Sequence, residues 1–163
     1  MPTPTYIALG NLTLGATDTS ILIDKIPNTY RDLVVVFNGT FTGTDTRIRV
    51  NALTTSIYSW VTAQGTGSGS GTSETLGPSN LGVGFGGTTA GNRIMAQMHF
   101  MDYSATNKNK TVLIRVSEPS QEVRMSAARI DTLNAINKIE FRIQNGGGSY
   151  SVGSTFTIYG IVS

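Results

Sequence analysis

Apolar and polar side chains alternate with a period of two along most of this chain, the pattern of strands that bury one face and wet the other. The cleanest case is 138–144, where Ile139, Phe141 and Ile143 share one face and Lys138, Glu140, Arg142 and Gln144 the other. Residues 110–117 repeat it with Val112, Ile114 and Val116 inward. Around Leu33, Val35 and Phe37 the intervening Val34 and Val36 are apolar too, which predicts a strand covered on both faces. Further runs occupy 6–13, 19–24, 47–51, 57–61, 93–103, 122–130 and 154–162. No window carries the i, i+3, i+4 stripe of a helix. About ten short strands, separated by turn-rich pieces such as Asn38-Gly39 and Gly146-Gly147-Gly148, predict a single all-β domain. The expected form is a β-sandwich, and at this length a jelly roll.

One stretch departs from the alternation. Residues 64–91 contain ten glycines and a single charge, Glu74. So few apolar side chains offer little burial to offset the entropy of ordering, so the stretch is expected to be a long Gly/Ser-rich surface loop. Within it, Gly82-Val83-Gly84-Phe85-Gly86-Gly87 satisfies G-x-G-x-x-G. A dinucleotide site needs that motif at a strand-to-helix turn, and no helix is expected after it.

Composition narrows the chemistry. The chain has 163 residues, 13% of them charged, with 12 Lys and Arg against 10 Asp and Glu. A formal charge of +2 gives no electrostatic case for a nucleic-acid partner. Cysteine is absent, which removes disulfides, thiolate nucleophiles and cysteine metal sites. The single histidine, His99, excludes any site built on two imidazoles, and a catalytic role would require an orienting acid and a nucleophile beside it. The acids are scattered, with no hydrolase or calcium-loop spacing. No apolar run reaches the length of a membrane span, and no signal-peptide pattern opens the sequence. Catalytic, cofactor-binding and metal-ligating residues are therefore all expected to be none.

The run 93–103 has an unusual second face. Ile94, Ala96, Met98 and Phe100 form an ordinary core set, while Met95, Gln97, His99, Met101 and Tyr103 are amphipathic rather than solvated. Methionine adapts to irregular surfaces and tyrosine is enriched in interfaces, so these five residues are the candidate subunit interface. The last run behaves similarly, with Thr157, Tyr159 and Ile161 opposite Phe156 and Ile158, and Gly160 there predicts a close backbone approach or a bend.

Four segments together resemble a family of small virion proteins of tailed bacteriophages, of the marine and cyanobacterial type. Ile26-Pro27-Asn28-Thr29-Tyr30-Arg31-Asp32-Leu33 is similar to the family's I-P-x-T-Y-x-x-L lead into a central strand. Arg47-Ile48-Arg49-Val50-Asn51, followed by Ile57-Tyr58-Ser59-Trp60, resembles its L-R-x-N and N-Y-S-W stretch. Residues 102–111, Asp-Tyr-Ser-Ala-Thr-Asn-Lys-Asn-Lys-Thr, are similar to its D-Y-S-x-T-N-K-x-K-T hairpin. Residues 153–161, Gly-Ser-Thr-Phe-Thr-Ile-Tyr-Gly-Ile, resemble its terminal strand. The family usually has an aromatic residue where Asn109 stands, and its equivalent of 64–91 is shorter.

The resemblance implies a non-enzymatic structural protein of the virion surface, made in the host cytoplasm. The expected role is decoration or cementing of the head, as a homo-oligomer, preferentially a trimer, seated on the major capsid protein. With no long shaft, the chain is expected to dock by its own surface. Because the same pattern recurs in tail-fibre tips, the alternative is a tail-tip adhesin module binding a host surface glycan. Tyr58 and Trp60 are the candidate exposed aromatics for that role.

Overall fold

The computed structural model describes residues 5–43, 45–86, 93–117, 122–144 and 147–162, with side chains at 45 and 84–86 left aside. The described residues form twelve strands and no helix. In chain order they are β1 (Tyr6–Thr13), β2 (Ser20–Ile23), β3 (Asp32–Gly39), β4 (Asp45–Val50), β5 (Tyr58–Gly65) and β6 (Ser70–Leu76). There follow β7 (Leu81–Gly86), β8 (Ile94–Met101), β9 (Lys110–Ser117), β10 (Val123–Ile130), β11 (Ile139–Ile143) and β12 (Thr155–Ile161). They make two antiparallel sheets: an eight-stranded one in the order β1-β12-β3-β8-β9-β10-β5-β6, and a four-stranded one in the order β2-β11-β4-β7. The fold is an all-β sandwich, as the alternation predicts.

The inward positions form one core. Leu33, Val35 and Phe37 of β3, Ile94 to Phe100 of β8 and Val112 to Val116 of β9 supply the wide sheet's share at every second residue. Ile21, Ile48, Val50, Ile139 and Phe141 supply that of the small sheet. Aromatic rings cluster within it: Phe156 lies 4.9 Å from Phe37, 5.1 Å from Phe141 and 5.3 Å from Tyr150, centroid to centroid. These tilted and edge-on geometries are the favoured ones for ring pairs. Val34 is also buried and Val36 half-buried, although both lie on the face of β3 that turns away from the small sheet.

The expected surface loop at 64–91 is corrected by the structure. It contains two of the twelve strands, and these account for the difference from the ten expected. β5 and β6 form a hairpin whose turn is closed by Thr66 N–H donating to Gly69 O at 2.9 Å. β7 pairs with β4, and its Leu81 and Val83 are fully buried in the core. Glycine content masked the alternation Leu81-x-Val83. Glycine ordinarily weakens a strand, but here the bare backbone is needed. A Cβ on Gly82 would come within 2.7 Å of both Arg47 Nη1 and Trp60 Cζ2. The G-x-G-x-x-G motif begins in β7 and runs into residues outside those described; the next described element is a strand, β8.

Gly160 meets the expectation of close approach. The Tyr30 ring lies against it, and a Cβ there would sit 2.4 Å from Tyr30 Cγ.

Candidate interaction surface

The wide sheet has a second face that the small sheet does not cover. Its registers align residues into rows across the strands. One row runs Tyr159, Val34, His99, Leu113, Ala127, Val61 and Glu74 from β12 to β6. The next runs Thr157, Val36, Gln97, Arg115, Met125, Ala63 and Thr72. A third places Met95 beside Ser117 and Val123. Side chains one strand apart in such rows touch, so Leu113, Ala127 and Val61 adjoin one another, with Met125 and Val123 next along β10, while Gln97, Arg115 and Ser117 set Met95 apart from them. Met95 is 56% exposed, Val61 54%, and Val123 and Met125 60% each. Single exposed apolar residues are ordinary on soluble proteins, whereas a contiguous group of this kind marks an interaction site.

The candidate interface residues fall partly here. Met95, Gln97, His99 and Met101 all lie on this face of β8. Tyr103 does not, and its assignment is corrected. β8 ends at Met101, and Asp102 adopts a left-handed backbone conformation, φ 49°. That turn breaks the alternation and swings Tyr103 inward, where it is fully buried and its hydroxyl donates to Pro27 O. Tyr58 and Trp60 are not an exposed platform either. Both point to the core, Tyr58 with its hydroxyl accepting Val50 N–H at 3.0 Å and Trp60 beneath the Arg47 guanidinium at 5.4 Å. Sequence reading missed the apolar part of the patch. Leu113, Val123, Met125 and Val61 are apolar residues at the outward phase of their strands, and that out-of-phase pattern was the available signal.

Polar groups border the patch at the end of β8. His99 Nε2 lies 3.2 Å from Asp32 Oδ2, while Asp32 Oδ1 accepts the Asp102 N–H at 2.7 Å. Asp32 on β3 thus bridges the strand and the 102–109 turn. Lys108 donates to Asp102 Oδ2 at 2.9 Å, and this bond holds the Asp102 carboxyl below its ordinary pKa. Lys110 is fully buried, with its ammonium donating to the carbonyls of Ala105 and Lys108, and burial pulls its pKa down. The turn is therefore held from beneath by a lysine and from its side by an aspartate. The hydrogen-bond partner of the His99 ring, among the described residues, is the Asp32 carboxylate rather than a hydroxyl. Among the described residues, no three His, Asp or Glu side chains converge as a metal site would require. Compared with known proteins, the chain matches no protein-family model and no curated sequence.

Proposed function

We propose that the protein is a non-enzymatic structural component of a tailed-bacteriophage virion, decorating or cementing the head, and that it assembles with further copies of itself through the outer face of the wide sheet. The observation that carries the reading is the strand order. The wide sheet begins β1-β12-β3-β8 and the small sheet runs β2-β11-β4-β7, two sets of four between which the chain passes back and forth, and hairpins β9–β10 and β5–β6 extend the first set. That order supports a jelly roll, an architecture shared by viral capsid proteins and lectins. The argument from fold is one of analogy, and the site-level support is the exposed patch.

A second copy of this chain is the occupant we assign to that patch. Eight strands at about 4.8 Å spacing, each seven or eight residues long, give a face of roughly 1,000 Å², enough to hold the ~800 Å² that each partner buries in a standard stable interface. Its apolar centre and its polar border at His99, Asp32 and Glu74 match the usual interface anatomy. The preferred trimer and the contact with the major capsid protein follow from the family resemblance. The tail-tip adhesin alternative loses the support of Tyr58 and Trp60, since both are buried.

Two measurements test this. Light scattering at tens of micromolar should return a multiple of 17.3 kDa for the wild type and 17.3 kDa for Val61→Glu, which would place a charge in the contact beside Glu74. A monomeric wild type refutes self-assembly. Position in a reconstruction of the virion tests the role itself: sandwich density on the head shell supports it, and absence from purified particles refutes it.

A further inference from the structure

We propose that the outer face of the small sheet binds an acidic sugar, a saccharide unit bearing a carboxylate or a sulfate. The register sets Arg142 of β11 directly opposite Arg47 of β4, with Ser20 and Gly82 completing the row. The adjacent row sets Glu140 opposite Arg49. Three guanidiniums thus share two rows with one carboxylate. Like charges paired across strands destabilise a sheet, and a local rule broken in this way is the mark of a functional position. Glu140 is itself engaged, accepting from Ser20 Oγ at 2.9 Å and lying 3.4 Å from Arg142 Nε.

The side chains enclose a cleft of about 350 Å³, lined by Thr19, Ser20, Arg47, Asn80, Arg142 and Gln144. That volume is at the small end of small-molecule sites and suits one or two sugar rings rather than a polymer track. Its wall at Gly148 is bare backbone, because a Cβ there would lie 2.0 Å from Thr42 O. Arg47 is braced on the cleft wall by Gln144 and Trp60. Its Nε donates to Gln144 Oε1, and its guanidinium stacks over the Trp60 ring through the space that Gly82 leaves open. A planar guanidinium presents a fork of donors that fits both oxygens of a carboxylate or sulfate. The amides of Asn80 and Gln144 and the hydroxyls of Thr19 and Ser20 are donors and acceptors suited to neighbouring sugar hydroxyls. A nucleic acid fits less well, since the cationic row is confined to one cleft on a chain of net charge +2.

This face lies on the opposite side of the sandwich from the self-assembly patch, so either reading can fail without the other. The test titrates the full chain by calorimetry with oligogalacturonate, with a sulfated chondroitin disaccharide and with neutral maltotriose. At least one acidic probe should bind and maltotriose should not, and the two acidic arms identify the preferred oxyanion. Arg142→Gln should weaken binding roughly tenfold or more, the effect of losing a hydrogen bond to a charged group. Arg142→Lys, which keeps the charge but not the fork, should recover it only in part and also serves if the glutamine variant folds poorly. Arg129→Gln, the same charge change on the wide face, should leave binding unaltered. The proposal is overturned if neither acidic probe binds at about 10 mM, if Arg142→Gln binds as the wild type does, or if Arg129→Gln weakens binding equally.

Discussion

Truncating Leu81 to alanine distinguishes a core strand from a surface loop at 81–86. Leu81 has no exposed surface, and it packs in the core formed by both sheets. Leu→Ala at such a site removes the transfer energy of the lost methyl groups and leaves a cavity in β7, an edge strand with room for partial collapse. About 3 kcal/mol, near the low end of the range for buried leucines, is the expected cost. Unfolding entropy near 2.1 cal/mol/K per residue gives ~0.34 kcal/mol/K for a chain of this size, so the melting temperature should fall by about 9 °C. The control is Leu76→Ala at the end of β6, where the side chain is 77% exposed. A surface change of that kind stays within about 0.5 kcal/mol, or less than about 2 °C. Calorimetric or circular-dichroism melts of the three proteins decide the matter. If Leu81→Ala melts within about 2 °C of the wild type, the burial of β7 is refuted, and with it the small sheet's fourth strand.

Gly160→Ala should destabilise by about 1–3 kcal/mol, because its Cβ would meet the Tyr30 ring, and Tyr30→Ala should relieve much of that cost in a double-mutant cycle measured by urea unfolding. Burial raises the pKa of both Tyr58 and Tyr103. The folded state therefore keeps phenolic protons that the unfolded chain releases, and stability is full below about pH 10 and declines as pH rises above it. Tyr103→Phe should flatten that alkaline decline in urea midpoints taken from about pH 9 upward, and an unchanged slope would show that Tyr103 does not contribute to it.

The sequence exposed the strands whose outward residues are polar, and for a physical reason. Where one face meets water and the other a core, as in 110–117 and 138–144, the alternation is written in residue types that cannot be exchanged without cost. β9 has the boundaries read from the pattern, and β11 lies within one residue of them. The pattern does not reveal β7 because a glycine, Gly82, stands between Leu81 and Val83, and its reason for being there is Trp60 and Arg47, residues more than twenty positions upstream. Tyr103 was misplaced because alternation assumes an extended backbone, and the left-handed Asp102 interrupts it. The interaction surface was half legible: apolar outward residues could be seen on β8, but those of β9, β10 and β5 adjoin one another only through the strand order. The cleft on the small sheet was not legible at all, since Arg47 and Arg142 meet only through a register that spans 95 positions.

The pairing of β1 with β12 bears on how the protein is made. Tyr6 pairs with Ile161 and Thr13 with Thr155, so the first strand of the fold has no neighbour in its sheet until the last has been synthesised. β12 also separates β1 from β3, and until it arrives both present open hydrogen-bonding edges. Such distant pairings make closure slow, because the ordering entropy of a long chain precedes the contacts that reward it. Closure of the wide sheet is therefore tied to the synthesis of β12. Premature termination upstream of β12 would release a species with unsatisfied edges, prone to aggregate rather than to assemble.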